Sequence, residues 1–139
     1  MHNEKSKTGV VWFERYAFPS YWGFCPDEKS WKKQMKLVGC ESDPYPSFET
    51  DTTARCTEFI SSEGKHIVLI TLGDFNGRDP VGIVGIIAHE VEHVWQMMKK
   101  HMGETDPGTE VEAYVKQDML MSMLYAYENA RHKLFRKIK

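Results

Sequence analysis

The stretch GIIAHEVEHVWQMM, residues 85–98, carries two histidines four residues apart, with a glutamate directly after the first. His89, Glu90 and His93 form the pattern HExxH. An α-helix advances about 100° per residue, so His93 lies about 40° from His89 on the same face, one turn further on. Two neutral imidazoles placed in this way can bind one Zn²⁺, and the glutamate can take a proton from the water that the metal activates.

The apolar residues of this helix lie on a different face from the histidines. They fall between about 140° and 220° from His89 and make one stripe, formed by Val84, Ile87, Val91, Val94 and Met98. Gly82 and Gly85 share the histidine face, where the lack of side chains leaves open space. Glu90 lies near 100°, at the edge of that face. The pattern therefore predicts histidines that point away from the core.

The segments around this helix predict the fold class. Residues 10–18 (VVWFERYAF) predict a strand, and residues 26–39 predict a short helix capped by Asp27 and ended by Gly39. TARCTEFIS and KHIVLITLGDF predict an antiparallel hairpin through the turn SEGK. Asp79 and Pro80 predict the start of the HExxH helix, which should run from 80 to 101, and a long final helix should run from 106 to 137. Strands followed by helices indicate an α+β fold with a small antiparallel sheet.

Composition narrows the function classes. A chain of 139 residues fits one domain, and a net charge of -2 gives no electrostatic reason to expect nucleic acid as a partner. No segment approaches the roughly 20 apolar residues that span a bilayer, and the N-terminus lacks the apolar stretch of a secretory signal. Cys25, Cys40 and Cys56 are odd in number, widely spaced and without a CxxC pair, which argues against disulfides and against a thiolate zinc site. We therefore expect reduced thiols, no membrane partner and a cytoplasmic location.

A catalytic zinc ion needs a third protein ligand. The extended pattern HExxHxxGxxH fails, because Lys99 occupies its last position. On the final helix Glu112 shares a face with apolar residues, and a carboxylate on a buried face needs a compensating partner, of which a cation is the strongest. The alternative is an acid that only complements the helix dipole. Glu110, about 160° away on the polar side, is the second candidate.

AHEVEHVWQ together with GETDPGTEVEAYVKQ resembles a group of small phage and prophage proteins described as zinc metallopeptidases. More distantly, the arrangement is similar to minimal gluzincins and to ImmA/IrrE-type metallopeptidases. The resemblance covers roughly residues 66–127. It implies a zincin fold, in which a glutamate followed by alanine on a later helix completes the metal site, and Glu112-Ala113 matches that place. It also implies that the strand before the active-site helix, here KHIVLITLGD, binds an extended peptide.

The resulting prediction is a single zincin-like domain, residues 1–139, that hydrolyses peptide bonds. His89, His93 and Glu112 would bind Zn²⁺, Glu90 would be the general base, and the partner would be a protein or peptide substrate. One alternative is a catalytically silent zinc-binding module that acts on a host protein. A closed structural zinc site is the other, but the sequence offers no convincing fourth ligand.

Three further residues carry weaker expectations. His66 opens a strand near the predicted cleft, where it either stabilises an oxyanion or is simply partly exposed. Tyr114 points about 200° from Glu112, which favours packing over catalysis. Asp118 is expected to be a surface acid, with orientation of a ligand histidine as the alternative.

Overall fold

The computed structural model describes residues 4–46, 48 and 53–135. Five strands and three helices follow one another along this part of the chain. Their bounds are β1 Glu4–Lys5, β2 Val11–Trp12, β3 Tyr21–Cys25, α1 Glu28–Val38, β4 Ala54–Ile60, β5 His66–Leu72, α2 Pro80–Met102 and α3 Thr109–Ala130. The α+β class is confirmed.

Three local predictions are also confirmed. Asp27 caps α1 through its side chain, which accepts a hydrogen bond from the Ser30 backbone N–H, and Gly39 ends that helix in the left-handed conformation with φ 78°. Asp79 caps α2, and Pro80 is its first residue. β4 and β5 pair as the predicted antiparallel hairpin. Each of these signals depends on a few neighbouring residues, which is why the sequence alone indicates them.

The sheet is mixed, so the prediction of an antiparallel sheet is wrong. Its strand order is β1-β2-β3-β5-β4, and β3 pairs with β5 in parallel. The predicted strand at 10–18 is also wrong, since only Val11–Trp12 of it is a strand and the aromatic segment after it forms β3. α1 and β4 lie between β3 and β5 in sequence, and this crossover allows the two strands to run in the same direction.

β5 is an internal strand, which corrects a second expectation. It pairs with β3 along one edge and with β4 along the other, and all its residues are buried. A strand with both edges paired has no free backbone groups for an added peptide. The strand of the described sheet with an open edge on this side is β4.

The final helix is shorter than predicted at both ends. It spans Thr109–Ala130 instead of 106–137, and residues 136 and 137 lie outside the described residues. Beyond the helix, the Arg131 guanidinium donates hydrogen bonds to the backbone oxygens of Gly73, Pro26 and Leu72. Leu134 is buried. These contacts hold residues 131–134 against the ends of β3 and β5 and against the core.

The core lies on both faces of the sheet. Alternate residues of β5 point in opposite directions, so Ile67 and Leu69 pack with α1, whereas Val68, Ile70 and Leu72 pack with α2 and α3. No helix in the described part of the chain has the length and apolar character needed to cross a membrane. α2 thus has one side against the sheet, one side against α3, and a remaining side that carries the two histidines.

Candidate metal centre

The faces of α2 are as the sequence predicts. Of the predicted stripe, Ile87, Val91, Val94 and Met98 are buried and Val84 is half-buried, whereas His89 is exposed and His93 half-buried. A side chain added at Gly82 or Gly85 would meet no atom within 4 Å, so the expected open space beside the histidines is present. The sequence pattern therefore predicted correctly which side of the helix faces away from the core.

The two imidazoles converge through the same ring atom. Nε2 of His89 and Nε2 of His93 lie 3.1 Å apart, with the rings close to perpendicular at 82°. Two nitrogens bound at 2.0–2.1 Å to one tetrahedral Zn²⁺ would lie roughly 3.3 Å apart, which is close to this separation. The separation is thus close to that of two zinc ligands; here the two atoms share a hydrogen bond, so one of them carries a hydrogen that zinc would have to displace.

A chain of polar side chains orients His93. Its Nδ1 lies 3.1 Å from Oε1 of Gln96, an oxygen that can only accept, so the Nδ1–H must donate. In the neutral ring this leaves the lone pair on Nε2, the atom that faces His89. Gln96 in turn donates to Glu92 at 3.4 Å, and Glu92 forms an ion pair with Lys116 at 2.8 Å. Such outer partners of a ligand histidine fix its ring orientation and raise its basicity.

These outer partners give a first prediction. Gln96→Leu removes the acceptor for Nδ1–H of His93 and should lower zinc affinity by about 10- to 100-fold, because the ring is no longer held in the metal-binding tautomer. The measurement is competition with a chromophoric chelator. Gln117→Leu, an exposed change on α3, is the matched control and should leave affinity unchanged. Equal affinities for the two variants would contradict an orienting role for Gln96.

Glu90 is more buried than its place at the edge of the histidine face suggests. It is 7% exposed, and within the described part of the chain its carboxylate has no hydrogen-bond or ion-pair partner. Burial raises its pKa, and the neighbouring His93 and His89 oppose this in part. A buried carboxylate without such a partner is energetically costly.

An open cleft lies beside Glu90 and His89. Its volume is about 500 Å³, and it runs between the start of β4 and the glycines of α2. Thr53 and Ala54 form one wall, and Gly82 and Gly85 help to form the other. Small residues on both sides leave this space open directly next to the Glu90 carboxylate.

Glu112 is engaged by other groups. Its Oε2 accepts hydrogen bonds from Nε1 of Trp95 at 2.8 Å and from Nζ of Lys99 at 3.2 Å, and its Oε1 lies 3.6 Å from Nζ of Lys116. The hydrogen bonds from Trp95 and Lys99 lower its pKa. The side chain is 28% exposed. Glu112 is therefore a compensated anion, as its apolar surroundings predict, with an indole and two ammonium groups as its partners.

The described residues contain no group of three or more His, Cys, Asp or Glu side chains arranged to hold a metal ion. Glu110, the second candidate for the third ligand, is exposed in the first turn of α3. His89 and His93 are thus brought together, whereas neither carboxylate of the first turn of α3 joins them in this conformation. The assignment of the third ligand to Glu112 stays a prediction.

Two of the weaker expectations are wrong. His66 is 4% exposed, not partly exposed, and its ring nitrogens lie 2.7 Å from Oγ of Ser20 and 2.8 Å from Oε2 of Glu58. Its ring also stacks on His101 at 4.1 Å, so it is a paired buried group away from the cleft. Tyr114, expected to pack, is 66% exposed.

Asp118 accepts a hydrogen bond from the hydroxyl of Tyr16. That bond raises the pKa of Tyr16 to about 12. Asp118 is half-buried and binds a tyrosine on the outer side of α3, so orientation of a ligand histidine is not its role in this conformation.

No family model, no curated protein and no solved structure matches the chain.

Proposed function

We propose that this protein is a zinc-dependent metallopeptidase with a zincin-type site, of the kind found in small phage and prophage proteins. The observation that carries the proposal is the combination of two features beside an open cleft. Glu90 is buried and has no hydrogen-bond or ion-pair partner among the described residues, and the Nε2 atoms of the histidine pair lie 3.1 Å apart. His89, His93 and Glu112 would hold the ion, and Glu90 would be the general base.

The donor set suits zinc. Imidazole nitrogens and a carboxylate are common ligands of catalytic zinc, which keeps a further position open for water or substrate. When bound, zinc polarises the scissile carbonyl and makes water acidic enough to be deprotonated near neutral pH. For Glu112 to bind the metal, its carboxylate must give up its contacts with the ammonium groups of Lys99 and Lys116. The double positive charge of the ion would then replace the ammonium groups as its compensating partner.

Glu90 performs the proton transfers. Its raised pKa lies nearer to neutral than that of an ordinary glutamate, which suits a group that accepts a proton and later releases it. The carboxylate takes a proton from the attacking water and delivers it to the nitrogen of the leaving amine. Thr53 and Ala54 line the same cleft as this carboxylate, on the side of β4.

The open edge of β4 is suited to hold the substrate. β4 lies at the end of the described sheet and borders the same cleft, so its free backbone groups can pair with an extended peptide. A peptide aligned there would pass close to His89 and Glu90. This assigns to β4 the role that the resemblance implied for β5.

One observation favours a second candidate function. Both oxygens of Glu112 are already compensated by Trp95, Lys99 and Lys116, as they would be in a protein whose metal site has lost its catalytic use. The alternative is therefore a catalytically silent zincin that binds a host protein. A silent binding protein can be distinguished from an enzyme by mutation of Glu90, because only the biological effect of the enzyme would depend on this carboxylate.

Metal analysis tests the proposal most directly. Protein purified without a histidine tag and without added metal should contain one zinc ion per chain, as measured by elemental mass spectrometry. The same protein should release peptides from a mixture of denatured proteins. Protein that contains no zinc and takes up none on titration would overturn the proposal.

The choice of carboxylate gives a second prediction. Glu112→Gln should weaken zinc binding by roughly tenfold or more, because the amide is a poorer ligand than the carboxylate. Glu110→Gln changes a neighbouring exposed acid in the same way and should leave zinc affinity nearly unchanged. Both affinities are measured by chelator competition, with circular dichroism to confirm that α3 is intact. Equal effects or the reverse order would show that Glu112 is not the ligand.

A further inference from the structure

The outer side of α3 carries a row of exposed apolar side chains. Val111 is 58% exposed, Tyr114 66%, Met121 39% and Tyr125 51%. With Asp118 they occur at successive spacings of three, four, three and four residues. That is the a/d spacing of a seam along which two helices pack. We call these five residues the outer seam.

The core does not use the outer seam. The buried residues of α3 are Met119, Ser122, Met123, Ala126 and Tyr127, and most of them lie more than about 90° around the helix from the outer seam. α3 is therefore apolar on two sides, and the seam side meets the rest of the described chain at the hydrogen bond between Tyr16 and Asp118. A helix that is apolar on a second side is typical of a protein in which that side is covered by another molecule.

Tyr16 adds to the exposed apolar surface of the outer seam and forms a hydrogen bond with Asp118, the charged residue at its centre. Its ring is 54% exposed, and its hydroxyl donates a hydrogen bond to Asp118. Tyr16 has a φ of 53°, in the left-handed region that side chains other than glycine rarely adopt. Its backbone N–H is held by a side-chain oxygen of Glu14 at 3.0 Å. Asp118 is the one acidic residue of the seam, and the hydrogen bond from Tyr16 partly compensates its charge. This lowers the free-energy cost of burying Asp118 under another molecule. The strained backbone of Tyr16 holds its hydroxyl in the position that this bond requires.

The exposed area is enough for a dimer. At roughly 200 Å² per aromatic side chain, the three tyrosines at positions 16, 114 and 125 expose about 350 Å². Val111 and Met121 bring this to roughly 500 Å², so two copies face to face would cover about 1,000 Å², the lower limit of a specific interface. The area fits a reversible dimer better than a permanent one.

The pattern of the seam also fits a second copy in opposite orientation. Tyr114 and Tyr125 lie at equal distances on either side of the midpoint between Asp118 and Met121. In an antiparallel pair Tyr114 would contact Tyr125 of the partner subunit, and Asp118 would lie beside the partner's Met121. In a parallel pair each Asp118 would face the other, which is unfavourable for two like charges.

We propose that the outer seam of α3, with Tyr16, is a reversible homodimer interface in which two copies of α3 pack antiparallel. The proposal rests on the described surface and is independent of the zinc site. It predicts a protein whose mass in solution rises from one chain toward two with concentration.

Sedimentation equilibrium tests the interface, with concentrations from about 1 to 500 µM. Tyr114→Glu should weaken association by at least about tenfold, because exposed aromatic anchors dominate small interfaces. Leu37→Glu is the matched control, since Leu37 is 72% exposed on α1, away from the seam. A wild-type chain that stays monomeric throughout, or a Leu37→Glu variant that loses association as Tyr114→Glu does, would overturn the proposal.

A pair of double variants tests the orientation. A chain with Tyr114→Lys and Tyr125→Glu places opposite charges against each other in an antiparallel pair, whereas a chain with Tyr114→Lys and Tyr125→Lys places like charges together. Both lose their aromatic anchors and should associate more weakly than the wild type, but the first should associate more strongly than the second at low ionic strength. If the second associates as strongly as the first or more strongly, the antiparallel arrangement is wrong. Both positions are exposed, and circular dichroism verifies that each variant is folded.

Discussion

Replacing either His89 or His93 by alanine is expected to abolish stoichiometric zinc binding. The two Nε2 atoms lie 3.1 Å apart, and each would supply one of three protein ligands. A binding free energy of about 10 kcal/mol spread over three ligands leaves roughly 3 kcal/mol for each, which is more than a hundredfold in affinity. The zinc content of the purified variant should fall from one ion per chain to nearly none.

The control for this experiment is His101→Ala. His101 lies on the same helix two turns later, exposed and stacked on His66, so its loss removes an imidazole without touching the proposed site. Zinc content should stay at one ion per chain. A His101 variant that loses as much zinc as the His93 variant would indicate adventitious binding to surface histidines. Circular dichroism should be unchanged in all three variants, because none of these side chains belongs to the apolar core.

The fold was predictable where its signals are local. The caps at Asp27, Gly39 and Asp79 depend on backbone conformation within a few residues, and all three are observed. The parallel pairing of β3 with β5 joins residues more than forty positions apart. No spacing or turn signal in the sequence reports such a pairing, because it depends on α1 and β4 carrying the chain across the sheet.

In the candidate site, too, the features with a local origin are the ones that the sequence predicts. The convergence of His89 and His93 follows from a spacing of four on one helix, and the sequence predicts it. The Gln96 contact to His93 has the same local origin, since the two are three residues apart on α2. A glutamine three residues after the second histidine is therefore a sequence signal for this contact.

Two features of the site depend on contacts between distant elements. Glu90 is 7% exposed, whereas helical angles alone place it only at the edge of a face, so its burial depends on the packing of other elements around α2. Lys99 reaches Glu112 across the interface between α2 and α3. Angles within one helix predict which side a residue occupies, but the identity of its partner depends on how the elements pack.

Glu90→Gln should separate the enzyme from the silent binding module. The amide keeps the size of the carboxylate but cannot accept a proton, so peptide hydrolysis should fall by at least roughly 10²-fold. Zinc content should stay at one ion per chain, because Glu90 is the proposed base and not a ligand. The matched control is Glu104→Gln, an exposed acid in the turn before α3, which should retain full activity.

The same variant has an expected effect on stability that does not require activity. Burial raises the pKa of Glu90 in the folded chain above its unfolded value, so the folded state binds the proton more tightly. The free energy of unfolding therefore falls as pH rises between the unfolded pKa and the raised folded one. The amide of Glu90→Gln has no charge to bury at pH 7, so the variant avoids this loss of stability. With a chelator present to remove any metal, the unfolding temperature of Glu90→Gln at pH 7 should equal or exceed that of the wild type.

Together the two measurements identify the role of Glu90. Lost hydrolysis with retained zinc and equal or greater stability is the result expected of a general base held at a cost in folding energy. Retained zinc with an unchanged biological effect would favour the silent binding module. Loss of zinc in Glu90→Gln would mean that this carboxylate is itself a ligand, and the roles assigned to Glu90 and Glu112 would then have to be exchanged.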